Sequence, residues 1–117
     1  MMLCVGAFTQ SSSQYVRIAK IIVDSAKLKE YNAALKEHAE VAVKVEPGVI
    51  MLYAVAEKLQ PTHVSVFEIY ASVEAYQTHI KTPHFLKYKS TVQDMVKELQ
   101  LVDVIPIALE GKTRISN

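Results

Sequence analysis

The sequence predicts an α+β domain of ferredoxin-like βαββαβ order: a four-stranded antiparallel sheet with two helical regions on one face. Three observations predict it. Stretches rich in β-branched residues alternate with stretches whose apolar residues recur every three or four positions. Their order along the chain is strand, helix, strand, strand, helix, strand. The length, 117 residues, suits one domain around one core.

Each element has its own grounds. YVRIAKIIVD (15–24) reads as a strand with two largely apolar faces. Residues 26–45 read as a helix capped by Asp24 or Ser25. Its stripe is Leu28, Tyr31, Leu35, His38, Ala42 and Val45, with lysines and glutamates on the wet side. Glu46-Pro47-Gly48 ends it, because proline cannot continue a helix and glycine turns the chain. VIMLYAVAE (49–57) and HVSVFEIYA (63–71) are a second and third strand joined by the loop KLQPT. A short helix spans about 72–80 with Ser72 as its cap. Thr82 caps the next, and Pro83 fills its first turn, where a missing N–H costs nothing. The stripe Phe85, Tyr88, Val92, Met95, Leu99 carries that helix to about Gln100. LVDVIPIAL (101–109) is the last strand, and Pro106 makes it an edge strand or a bulged one.

The resulting organisation is an N-terminal arm or leader remnant (1–14), a folded domain (15–109) and a polar tail (110–117). The arm, MMLCVGAFTQSSSQ, joins an apolar run to a polar cluster. It reads as an arm on a cytoplasmic protein, and export to the periplasm stays open if it is the end of a leader. No apolar run approaches a membrane span. A net charge of +1 gives no nucleic-acid footprint and no polybasic membrane patch. A single cysteine, Cys4, excludes an intrachain disulfide and a cysteine zinc site. Two helices cover only one face of such a sheet, so the other apolar face needs a partner, and a two-fold homodimer packed sheet on sheet supplies one.

The chemistry is sought in AYQTHIKTPHF (75–85). In one continuous helix His79 and His84, five positions apart, would miss a shared face. The Thr-Pro break puts His79 in the last turn of one helix and His84 in the first turn of the next. Helix ends carry opposite partial charges, so the two rings are biased toward different protonation states, which suits acid/base work. The break also lets both rings face one cavity. A histidine at a helix end is as often a cap or a surface residue. His38 occupies an apolar stripe position, points at the sheet and needs a buried partner. His63, beside a loop, faces solvent. Glu68, on the strand face of Val64, Val66 and Tyr70, is expensive to bury unpaired, so it either pairs across the dimer or serves the cavity, with an interface or structural pairing favoured. Tyr53 and Tyr70 offer phenols that serve a site or fill a core. The chain has no phosphate loop, no GxGxxG and no HExxH. A metal centre from His79, His84 and Glu68 is disfavoured by the spacing across the proline.

FEIYASVEAYQTHIKTPHFLKY (67–88) resembles the signature of the antibiotic biosynthesis monooxygenase family. Glu68, Tyr70, Ala75, His79, Thr82, Pro83, His84 and Phe85 match it in order, and VEPGVIMLY (45–53) resembles the family's turn into its second strand. The resemblance covers about residues 15–107 and is closest to small quinol monooxygenases. It implies a dimeric α+β barrel and oxidation of a quinol or polyphenol-like aromatic by dioxygen with no metal, flavin or other cofactor. On that resemblance His84 is a neutral base and His79 steadies the developing oxyanion. His38, Tyr53, Phe85 and Tyr70 line the substrate. Isomerases of phosphorylated carbonyl compounds share the fold. They need a cationic clamp, whereas Arg17 and Lys20 point to opposite faces of the first strand. A non-catalytic binding module is the third reading. The haem-degrading branch is disfavoured, since the chain has no tryptophan and its first strand no asparagine.

Overall fold

The structure, a computed structural model, describes residues 14–112. In chain order the elements are β1 (Tyr15–Val23), a 3-10 turn (Ser25–Lys27), α1 (Leu28–Val45), β2 (Val49–Ala56), β3 (His63–Tyr70), α2 (Val73–His79), α3 (Pro83–Val92) and β4 (Val96–Val104). The strands form one antiparallel sheet in the order β2-β3-β1-β4. This is the α+β, ferredoxin-like arrangement, with the helices on one face. The expected N-terminal arm lies almost wholly outside the described residues.

Local chemistry sets the boundaries. The Asp24 carboxylate accepts from the Ala26 N–H at 3.0 Å and starts the first helical turn. The Ser72 hydroxyl accepts from the Ala75 N–H at 3.0 Å and opens α2. Thr82 caps α3 by accepting from the Phe85 N–H at 3.2 Å, with Pro83 in the first turn.

Pairing fixes the two faces of the sheet. Arg17 stands opposite Glu68 and Asp103, and Ala19 opposite Val66 and Leu101. The helical face therefore holds Arg17, Ala19 and Ile21 from β1, with Val64, Val66, Glu68 and Tyr70 from β3. Ala19, Ile21, Val23, Val64 and Val66 pack beneath Tyr31, Leu35 and Val92 as the main core. The opposite face carries Val16, Ile18, Met51, Tyr53, Phe67, Ile69, Val102 and Val104 toward one end and Lys20, Ser65, Glu98 and Gln100 toward the other. The strands are thus apolar on both faces over only part of their length.

Two expected boundaries move. α3 stops at Val92 rather than near Gln100, and the Met95 N–H closes the turn onto the Val92 carbonyl at 2.8 Å. Residues 96–104 then pair with β1, so the last strand begins five positions before the expected Leu101. The residues Val92, Met95 and Leu99 satisfied a helical stripe, yet Leu99 and Leu101 equally satisfy strand alternation, and ladder hydrogen bonds to β1 decide the matter. β4 is an edge strand, and Pro106 lies past its end, where it removes no ladder bond. In α1 the stripe holds at Tyr31, Leu35, His38 and Ala42, but Val45 at its end is exposed.

Candidate functional site

Three element ends meet around one carboxylate. Glu46 is the residue that closes α1, its N–H donating to the Ala42 carbonyl at 3.0 Å. His79 ends α2, and His84 lies in the first turn of α3. The Nδ1 of His79 lies 2.8 Å from Glu46 Oε2, and the Nε2 of His84 lies 2.5 Å from the same oxygen. A carboxylate only accepts, so each facing ring nitrogen must carry the proton. For neutral rings this sets both tautomers, leaving the Nε2 of His79 and the Nδ1 of His84 as acceptors.

Gly48 lets this junction close. The Ala71 N–H donates to its carbonyl at 2.8 Å, tying the start of β2 to the exit of β3. A Cβ on Gly48 would stand 2.6 Å from the Ala75 Cβ of α2. Its backbone is not in the left-handed region, so space rather than φ demands glycine here. The Thr82 hydroxyl donates to the His79 carbonyl at 2.7 Å while capping α3, which ties the two histidine-bearing turns together.

A cavity of about 140 Å³ lies between the helices and the sheet. His79, His38, Phe85 and Tyr88 line its helical side, Arg17, Glu68 and Tyr70 its polar floor, and Leu52, Val66 and Leu101 its apolar wall. His79 is 2 % exposed. The His38 ring stacks on Tyr88 at 4.7 Å between centroids, and the Tyr88 and Tyr31 hydroxyls share a hydrogen bond of 2.7 Å. Burial, then the neighbouring His79 and His84, push the His38 pKa down to about 4, so this ring is neutral at ordinary pH. Its Nδ1 is buried with no hydrogen-bond partner among the described residues. Burial, reinforced by the Tyr88 hydroxyl, raises the Tyr31 pKa, and burial beside Glu68 raises that of Tyr70, so both phenols stay protonated.

Glu68 pairs within the chain. Arg17 Nε donates to its Oε1 at 3.1 Å and the Tyr70 hydroxyl to the same oxygen at 2.7 Å. Burial opposes the charge of Arg17, but Glu68 outweighs it and raises the pKa. The guanidinium also lies 4.3 Å from the centre of the Tyr76 ring. Arg17 is therefore already committed to a carboxylate and an aromatic face.

The structure brings His38, His79, Tyr70 and Phe85 to one cavity and separates the other two expected residues from it. Tyr53 pairs with Phe67, on the sheet face away from the helices, and is 43 % exposed. Tyr53 and Glu68 sit on neighbouring strands, but strand alternation sends them to opposite sides. His84 does not share the cavity of His79. It lines a separate notch of about 80 Å³ with Ala34, Glu37, Lys87 and Thr91, and His38 and Tyr88 stand between the two spaces. The rings meet through Glu46, which the sequence marks as a helix stop and as part of the turn into the second strand but not as a site residue. One signal was available: a glutamate at a helix C-terminus opposes the macrodipole and needs a cationic or donor partner.

The fold and this site define a small ferredoxin-like protein with two histidines, His79 and His84, organised around one carboxylate. The sequence profile of the family "Antibiotic biosynthesis monooxygenase" matches residues 14–91, more than half the chain. A structure from Bacteroides thetaiotaomicron, provisionally named an antibiotic biosynthesis monooxygenase, is 51% identical with a TM-score of 0.83, covering 87% of this chain and 97% of that one. A provisionally named monooxygenase of Lactobacillus acidophilus is 26% identical at a TM-score of 0.79, covering 80% of this chain and 45% of the other. One from Nitrosomonas europaea, at 24% identity and a TM-score of 0.78, covers 86% and 96% and shows the fold alone. No protein of curated function is matched. The chain belongs to the antibiotic biosynthesis monooxygenase family. Among the described residues, no helix is long and apolar enough to cross a membrane.

Proposed function

We propose that the chain is a cofactor-independent monooxygenase that oxidises a single-ring hydroxylated aromatic, a quinol, with dioxygen. The observation that carries the reading is the Glu46–His79 contact at the cavity wall. The Nδ1–H of His79 donates to Glu46, so the lone pair of His79 Nε2 is the free acceptor of a ring that lines an otherwise largely apolar chamber. The base is therefore His79 rather than His84, which reverses the roles expected from the resemblance. His84 acts from outside the cavity by holding Glu46 in place.

The volume limits the substrate. An apolar cavity near 150 Å³ accommodates benzene, so about 140 Å³ suits one ring and not a fused pair. His79 removes a hydroxyl proton, and the electron-rich anion reduces dioxygen. One oxygen atom enters the ring and the other leaves as water. All four electrons come from the quinol, giving a hydroxyquinone, so no external reductant is needed. Arg17 is bound to Glu68 and Tyr76, which argues against its use as a phosphate clamp and hence against an isomerase of phosphorylated substrates.

The partner is a second copy of this chain. The apolar end of the open sheet face, around Ile18, Met51, Tyr53, Phe67 and Val102, supports a two-fold dimer packed sheet on sheet. The test of the reaction is turnover of benzene-1,4-diol under isotopically labelled dioxygen. One labelled atom in the hydroxyquinone is expected. Oxidation to an unlabelled benzoquinone would reject monooxygenation.

A further inference from the structure

The atoms that converge on Glu46 also form a ligand set. We propose that Glu46, His79 and His84 bind a divalent transition ion of the zinc, cobalt and nickel kind, and that this ion switches off the base in the cavity. The binding half stands on the cluster alone; the switching half rests on His79 being the base.

The geometry comes first. The Nδ1 of His79, the Nε2 of His84 and a carboxylate oxygen of Glu46 all lie within 4.8 Å of one another. Both nitrogens already face the oxygen, at 2.8 and 2.5 Å. Ligands about 2.0–2.1 Å from one tetrahedral ion stand about 3.3 Å apart, so seating one requires the Glu46 oxygen to draw back from the two nitrogens and the nitrogens to settle at that mutual spacing. Two imidazoles with one carboxylate suit borderline ions and not the all-oxygen preference of calcium or magnesium. Three protein ligands leave a fourth position for water.

The supports are firm and the access is one-sided. Each ligand sits at the end of a helix, and the Thr82 hydroxyl bonds to the His79 carbonyl while capping the helix of His84. The side chain of His79 is 2% exposed, whereas that of His84 is 15% exposed and lines the outer notch. The ion therefore reaches the cluster from the side of His84, the more exposed ring, and not from the cavity that His79 lines.

Its consequence is a change of tautomer. An ion at Nδ1 of His79 cannot coexist with the proton there, so the neutral ring carries its proton on Nε2 instead. The nitrogen facing the cavity becomes a donor and no longer accepts a substrate proton. The proton count of the ring is unchanged; only its position differs.

The experiment is a calorimetric titration of the full chain with zinc chloride, repeated for Glu46→Gln and His84→Gln. Circular dichroism establishes that each variant is folded, and the visible absorption of bound cobalt reports the nitrogen ligands independently. One saturable ion per chain is expected. Each variant should weaken binding by more than the about 10–100-fold that outer-shell changes cost. Absence of binding to the wild type, or equal affinity in folded variants, overturns the site. Oxygen uptake with the quinol is expected to fall with zinc and return on chelation. Stoichiometric binding with unchanged uptake overturns the switch. A wild type inactive without any added ion rejects the monooxygenase reading and with it the switch, while the calorimetry still decides the site.

Discussion

At Gly48 a single missing Cβ decides whether the site assembles. Gly48→Ala places a methyl 2.6 Å from the Ala75 Cβ, which forces α2, and His79 with it, away from Glu46. Overpacking of this kind costs about 1–3 kcal/mol. Denaturant unfolding should show that loss, and a double-mutant cycle with Ala75→Gly should recover part of it; additive effects would mean that the contact is not the cause. His38 makes a second prediction. Its ring takes up a proton near pH 6.5 when unfolded but only near 4 when folded. The unfolded chain binds more protons between those values, so the contribution of His38 to stability is complete above pH 6.5 and is lost on acidification toward pH 4. His38→Phe should flatten that part of the stability profile, and an unchanged slope would assign it to other groups. His38 itself was legible in the sequence, because a histidine in an apolar stripe must point inward. Glu46 was not, because Glu-Pro-Gly reads equally well as a plain stop signal, and its partners come from residues more than thirty positions away.

Between α2 and α3 the break Ile80–Thr82 does the positioning. Its signals were local: Ser72 and Thr82 as caps and Pro83 in a first turn, each visible without any tertiary knowledge. Thr82→Val removes both the cap on α3 and the bond to the His79 carbonyl. A loss of about 1 kcal/mol is expected from the cap, together with weaker hydrogen-exchange protection in the first turn of α3. Wild-type protection there would contradict the role given to Thr82. The end of α3 was illegible for a different reason. Met95 and Leu99 fit a helical period and a strand period at once, and only the pairing of 96–104 with β1 resolves them. The same limit explains Tyr53 and His84. Sequence spacing gives a face or a helix end, whereas the cavity a side chain reaches depends on how the elements pack.

For the whole molecule, the βαββαβ order was legible because each element announces its own period, and the layered arrangement follows from that order. In the proposed dimer the second layer on the open sheet face comes from a partner copy, and Phe67 stands near the middle of the apolar end of that face. Phe67→Lys should convert a dimer to a monomer in sedimentation equilibrium while leaving the helical core intact. A wild type that sediments as one chain at micromolar concentration would contradict the dimer. At this scale the separation of roles also becomes plain. The sheet supplies the apolar wall and the committed Arg17–Glu68 floor, the helix ends supply the histidines, and Glu46 joins the inner ring to the outer one.

The most direct measurement is the rate of oxygen consumption with a single-ring quinol for wild type, His79→Gln and His84→Gln, each established as folded. Loss of a general base lowers turnover by about 10²–10⁴-fold, and that fall is predicted for His79→Gln. His84→Gln, whose side-chain amide can still donate to Glu46, should retain most of the rate. The reverse order, or equal rates in wild type and His79→Gln, would contradict the assignment of the cavity base.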